Sequence, residues 1–78
     1  MSGGSVPVPR KLRELQADLR RAGFAEAPGR GSHTGWRHPL LSEKLTLSGG
    51  DGDDAQPYQE RQVRRILTQL REAQGHQR

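Results

Sequence analysis

Residues 24–48 read FAEAPGRGSHTGWRHPLLSEKLTLS, and this stretch decides the fold because it holds three short segments with strand character. The first candidate strand is 24–27, and the breaker cluster Pro28–Gly31 ends it. The second covers 32–38, and the third, 44–48, alternates polar and apolar side chains. Three short segments this close along the chain predict a small antiparallel sheet.

Alternation along the second segment assigns its side chains to two faces, because successive strand residues point to opposite sides of a sheet. One face carries His33, Gly35 and Arg37, and the other carries Thr34, Trp36 and His38. Trp36 could stack on a nucleic-acid base, but the chain has so few aromatic residues that we expect Trp36 in the core. Leu45 and Leu47 of the third segment are expected there too.

Two amphipathic helices flank the strands. The first, 9–22, repeats its apolar residues at helical spacing, and Gly23 supplies a left-handed stop after which Phe24 folds back on the last turn. The second is predicted over 59–73. The residues expected to be buried between the helices and the sheet are Leu12, Leu15, Leu19, Val63, Ile66, Leu67 and Leu70. The predicted fold is therefore α+β, ordered α-β-β-β-α, with a three-stranded antiparallel sheet and both helices on one face.

The length of the chain, 78 residues, allows one domain. Hydrophobic residues make up 29% of it, so the core is expected to be a single thin layer. We assign 9–74 to this domain, with a flexible Gly/Ser/Pro-rich tail over 1–8 and a flexible C-terminus over 75–78.

Composition narrows the classes of function. The chain has no cysteine, which excludes disulfides, thiolate metal sites and a cysteine nucleophile. The histidines and carboxylates lack the spacing of a metal site, and we expect no metal and no cofactor. No apolar segment has the length of a signal sequence core or a membrane span, so we expect a soluble cytoplasmic protein.

The charge of the chain is uneven. The formal net charge is +4, and residues 1–38 carry all of this excess, since 39–78 hold equal numbers of basic and acidic residues. Most cations are arginines, which suit bidentate contacts with phosphate. An anionic partner such as RNA is one interpretation, and Arg30 and Arg37 are the candidates for phosphate contacts.

The segment 31–39, GSHTGWRHP, resembles the signature of the HicA family: Gly-Ser-His, two or three variable positions, an aromatic or apolar residue, a basic residue, and often His-Pro. HicA proteins are toxins of type II toxin–antitoxin pairs. The resemblance implies a fold like the double-stranded-RNA-binding domain, cleavage of mRNA, and inhibition by a HicB-type antitoxin. It also implies that His33 is the catalytic residue and that Gly31 and Ser32 form the RNA-binding turn that presents it.

An imidazole suits this chemistry because a histidine both takes up and releases a proton near neutral pH. Two features depart from the family pattern: Thr34 stands where many members have a second histidine, and an acidic loop, 49–54, follows the third strand. We interpret this loop as a solvated turn whose aspartates favour the N-terminus of the following helix. The sequence therefore predicts a metal-independent endoribonuclease toxin, with a catalytically silent RNA-binding or protein-interaction module on the same fold as the alternative.

Overall fold

The computed structural model describes residues 10–75 and has the predicted element order. Its elements are α1 (Leu12–Arg21), β1 (Ala25–Pro28), β2 (Thr34–Arg37), β3 (Leu45–Leu47) and α2 (Pro57–Gly75). The α+β prediction is confirmed. The predicted tails lie outside the described residues, except that Gly75 belongs to α2. None of the helices over 10–75 combines the length and the apolar character needed to cross a membrane.

The three strands form one antiparallel sheet in the order β1-β2-β3. Across β1 and β2, Ala27 lies opposite Gly35 and Ala25 opposite Arg37. Across β2 and β3, Gly35 lies opposite Thr46 and Trp36 opposite Leu45. This register divides the sheet into an inner face, which carries Trp36, and an outer face, which carries Gly35 and Arg37.

The core lies between the inner face and the two helices. Trp36 is fully buried, which confirms its predicted place. Leu67, which we predicted in the core, is only partly buried, at the edge of the apolar face of α2. The buried apolar residues are Leu12, Leu15, Leu19, Phe24, Trp36, Leu45, Leu47, Ala55, Val63, Ile66 and Leu70.

The C-terminus of α1 ends as its sequence predicts. Gly23 has a φ of 98°, and the Phe24 N–H donates to the Leu19 carbonyl at 3.0 Å. This bond satisfies one of the carbonyls that a helix end leaves free. Phe24 is thereby turned back into the core.

The N-terminus of α1 is closed by the acidic loop, a contact that our interpretation of that loop did not include. The helix has no side-chain cap. Instead the Leu12 N–H donates to the Asp53 carbonyl at 2.9 Å, and the Arg13 N–H donates to the Asp51 carbonyl at 3.3 Å. The loop therefore supports the first helix, because its main-chain carbonyls accept N–H groups that the helix itself leaves without partners.

Candidate functional site

The Gly-Ser-His motif lies in the tight turn between β1 and β2. The Gly29 N–H donates to the His33 carbonyl at 2.9 Å, and the His33 N–H donates to the Arg30 carbonyl at 3.0 Å. Gly31, with a φ of 58°, occupies the first central position of the Arg30–His33 turn, and a positive φ there favours glycine. β2 begins at Thr34 rather than Ser32, so the predicted start of this strand is wrong and His33 belongs to the turn.

The imidazole of His33 is exposed and is oriented by its own turn. Its Nδ1 lies 3.0 Å from the Arg30 carbonyl oxygen. A carbonyl only accepts, so Nδ1 carries the hydrogen in the neutral ring and Nε2 is left as the unprotonated nitrogen. The Arg30 carbonyl thus holds both the main chain and the ring of His33, a role that the sequence did not reveal.

Ser32 ties this turn to the acidic loop. Its hydroxyl oxygen accepts a hydrogen bond from the Gly49 N–H at 3.3 Å. Gly49 has a φ of 117°, and a β-carbon there would lie 2.6 Å from Cδ1 of the buried Leu12. The position of the turn is therefore coupled to the packing of α1 through a single glycine.

The two predicted phosphate-binding arginines are exposed but lie apart. Arg30 is in the turn beside His33, whereas Arg37 is at the far end of β2 on the outer face. Arg37 is four positions after His33, which corresponds to roughly 13 Å at the rise of an extended strand. The structure brings Arg30, Gly31, Ser32 and His33 together and leaves Arg37 outside that group.

Lys44 is a basic residue of the outer face that our sequence analysis did not single out. It immediately precedes β3, and its Cδ would lie 3.7 Å from a β-carbon at Gly35. The aliphatic part of Lys44 therefore covers the Gly35 backbone. The feature of the sequence that could have indicated Lys44 is Gly35, because a glycine leaves room for a long side chain from the neighbouring segment.

The acidic loop adjoins the turn, but two of its three carboxylates have partners. Asp54 forms an ion pair with Lys11 at 2.6 Å, and Asp53 accepts the Gly50 N–H at 2.8 Å. Asp51 is exposed. Most of the loop's side-chain charge is thus directed at the loop itself and at the start of α1.

His38, the other histidine among the described residues, is held by contacts within the fold. The His38 Nδ1 accepts the Leu40 N–H at 3.1 Å, and the ring packs edge-on against Phe24 at a centroid distance of 5.2 Å. Within 10–75, no group of three His, Cys, Asp or Glu side chains is placed to hold a metal ion. His33 is therefore the histidine with an exposed ring in this part of the chain.

The perturbed ionisable groups lie on the helix side of the sheet. Arg65 forms a two-point ion pair with Glu43, and this contact lowers the pKa of Glu43 and raises the pKa of Arg65. A hydrogen bond to Asp18 likewise raises the pKa of Arg10. These pairs hold a loop and a helix face in place and do not include the Gly-Ser-His turn.

Comparison with curated proteins and with solved structures gave no significant match. Comparison with protein-family models gave a match over residues 12–74 to the HicA toxin of bacterial toxin–antitoxin systems. The matched range begins with α1, includes the three strands and the whole of the Gly-Ser-His turn, and ends one residue before the end of α2. Because the match to this family model spans most of the chain, the protein belongs to the HicA toxin family.

Proposed function

We propose that this HicA-family toxin is a metal-independent endoribonuclease that cleaves mRNA in the cytoplasm, with His33 as its general base. The observation that carries the proposal is the hydrogen bond between His33 Nδ1 and the Arg30 carbonyl. It fixes an exposed imidazole in the tautomer whose Nε2 accepts a proton. A partner on the other ring nitrogen is the usual means of orienting a histidine for proton transfer.

The reaction that fits one such histidine is transfer within the RNA itself. Nε2 removes the proton of a ribose 2′-hydroxyl, and the 2′-oxygen forms a bond to the adjacent phosphorus. The bond from phosphorus to the 5′-oxygen breaks, and that oxygen takes a proton from the imidazolium. The products are a 2′,3′-cyclic phosphate and a free 5′-hydroxyl, and the histidine returns to its neutral form.

The rest of the turn supports this chemistry. The Arg30 carbonyl stabilises the imidazolium as it forms, because its partial negative charge faces the protonated Nδ1. The Arg30 side chain is exposed in the same turn and is our candidate for contact with the scissile phosphate. Gly31 has nothing within 4 Å of the position of a β-carbon, so the RNA backbone has room to approach at this point.

The test is cleavage of a labelled RNA in the presence of EDTA by the wild type, His33→Ala and His33→Gln. Loss of a general base is expected to reduce the cleavage rate by ~10²–10⁴-fold. His33 is exposed, so both variants are expected to unfold within ~0.5 kcal/mol of the wild type. Arg64→Ala, an exposed change on α2, is the matched control and retains activity. Full activity in either His33 variant contradicts the assignment.

The alternative is a catalytically silent RNA-binding module, and the exposed cations of the outer face favour it independently of His33. Such a module binds labelled RNA but leaves it intact at every enzyme concentration. In that case His33→Ala changes neither binding nor the integrity of the RNA. The same assay therefore distinguishes the two functions.

Membership of a toxin family implies pairing with an antitoxin. We propose a HicB-like partner that covers the turn of Arg30 and His33, so that RNA and antitoxin exclude each other. An acidic surface on the partner would speed association with this basic region. The measurement is a competition titration with the purified pair, and unchanged RNA affinity in the saturated complex contradicts occlusion.

A further inference from the structure

Two cations lie at the same end of the outer face, because Arg37 is the last residue of β2 and Lys44 immediately precedes β3. Trp36 is paired with Leu45, and extending this register by one position brings Arg37 opposite Lys44. Both side chains are exposed, and neither takes part in an ion pair among residues 10–75. Like charges directly opposite each other destabilise a sheet. The pair therefore has a cost to folding, and binding an anion would offset it.

The carboxylates nearest to this pair in the sequence are engaged elsewhere. Glu26 lies opposite Trp36 in the register and pairs with Arg20 at 3.0 Å. Glu43 pairs with Arg65 of α2 at 2.7 Å. Neither carboxylate compensates the two cations, so the outer face keeps its positive charge.

Between the two cations and the Gly-Ser-His turn, the outer face of the sheet is flat because its side chains are small. Ala27, Gly35 and Thr46 lie side by side across the three strands, and none of them carries a large side chain. The aliphatic chain of Lys44 lies over Gly35, on the path between Arg37 and His33. A polyanion could lie flat along this face with its charged groups close to both cations.

We propose that Arg37 and Lys44 together bind one backbone phosphate of the RNA, at least one nucleotide away from the phosphate that is cleaved at His33. This inference rests on the proposed function and deepens it. Arg37 is roughly 13 Å of extended chain from His33, so the pair acts in substrate binding and not in the chemical step. Arg37 and Lys44 are therefore positioning residues.

The chemistry of the face favours RNA backbone over bases. Among the described residues, Trp36 and Phe24 are both buried in the core, and the exposed Tyr58 belongs to the start of α2 and not to the sheet. Contacts with phosphate carry no sequence information. RNA held here is expected to bind with little dependence on its sequence. The turn that carries His33 leads directly into β2, which carries Gly35 and Arg37, and this linear order suits a chain of phosphates better than an acidic patch of a protein.

The experiment compares Arg37→Met, Lys44→Met and the double variant with two substrates, a dinucleotide that has one phosphate and an oligonucleotide of about eight nucleotides. Methionine keeps an aliphatic chain and removes the charge. With the longer RNA, each single variant is expected to raise KM about 5-fold and to leave kcat unchanged, as loss of uniform binding does. The double variant is also expected to lower the slope of log affinity against log salt by ~0.7, which is the contribution of one phosphate contact. Cleavage of the dinucleotide stays at the wild-type level.

Two further variants serve as controls. Arg64→Met removes an exposed charge on α2, away from the outer face, and is expected to leave KM and the salt slope unchanged. Lys44→Arg keeps the charge and is expected to retain the wild-type KM. A rise in KM that Lys44→Arg does not rescue would mean that Lys44 acts through its shape and would overturn the phosphate site.

Binding of the longer oligonucleotide, which carries a fluorescent label, is measured separately from its cleavage. The phosphate site and the proposed nuclease activity then fail in different ways. If the wild type binds RNA without cutting it and the Met variants bind more weakly, the phosphate site stands and the proposed nuclease activity fails. If the Met variants bind the oligonucleotide with wild-type affinity and salt slope, the phosphate site is overturned. If these variants weaken only the complex with the antitoxin, the outer face is a protein interface, and the phosphate site is again overturned.

Discussion

Gly49→Ala is expected to be the most damaging small substitution in the loop that supports the turn. Alanine at a φ of 117° is strained by about 1–3 kcal/mol. Its β-carbon would also lie 2.6 Å from Leu12 Cδ1, and Leu12 is 1% exposed, so the leucine cannot swing into solvent. Overpacking of this kind costs about 1–3 kcal/mol. The sum, roughly 2–6 kcal/mol, is a large part of the ~4–12 kcal/mol expected for a domain of 78 residues.

Alanine substitutions at two other glycines distinguish the backbone strain of a positive φ from the steric clash with Leu12. Gly31 also has a positive φ, 58°, but its β-carbon would meet nothing within 4 Å, so Gly31→Ala is expected to cost about 1 kcal/mol. Gly52 has neither a positive φ nor a close neighbour, and Gly52→Ala is expected to be neutral or slightly stabilising. Urea unfolding followed by circular dichroism gives the three values directly. If Gly49→Ala costs no more than Gly31→Ala, the contact with Leu12 does not constrain the loop and the coupling from α1 to the turn is wrong.

Two further predictions concern polar groups that stabilise the fold. Gln59→Leu is expected to destabilise the domain by about 1–3 kcal/mol, because the buried Gln59 amide donates to the Ser48 carbonyl at 3.0 Å and leucine cannot; an unfolding free energy equal to that of the wild type would show that water replaces the amide. Glu43→Gln is expected to change the pH dependence of stability. Arg65 lowers the pKa of Glu43 below its ordinary 4.5, so the carboxylate contributes stability above that value and loses it as the pH falls through the lowered pKa. The difference between wild type and Glu43→Gln in urea unfolding should therefore be present at pH 7 and disappear in acid, and a difference that persists at low pH would rule out the ionised pair as its source.

The parts of the fold that the sequence predicts depend on local patterns. The apolar spacing along α1 and the glycine that ends it involve neighbours within a few residues, and both appear in the structure as expected. The closure of α1 at its other end was missed because its acceptors, the carbonyls of Asp51 and Asp53, lie about forty residues further along the chain. No local pattern at Lys11, the N-cap, indicates a partner at that separation.

The candidate site also combines features that the local sequence predicts with features that it does not. The three-residue motif and its histidine are visible in the sequence, whereas the atoms that orient the histidine belong to the main chain. The Arg30 carbonyl would be present with any residue at position 30, so its contact with His33 follows from the shape of the turn and not from a side chain. Lys44 was missed for a related reason, since it reaches the outer face only because the register brings it beside Gly35.

The acidic loop is compatible with an RNA-binding surface because of where its charges are directed. Three aspartates next to the Gly-Ser-His turn would repel a polyanion if their carboxylates faced it. Asp54 instead pairs with Lys11, and Asp53 accepts a main-chain N–H of its own loop. The first N–H groups of α1 face the loop from the other side and donate to its carbonyls. The positive end of a helix dipole stabilises negative charge placed there. The loop thus holds Ser32 through the Gly49 N–H while much of its charge is balanced locally, so the positive charge of the outer face remains available to the RNA substrate that we propose.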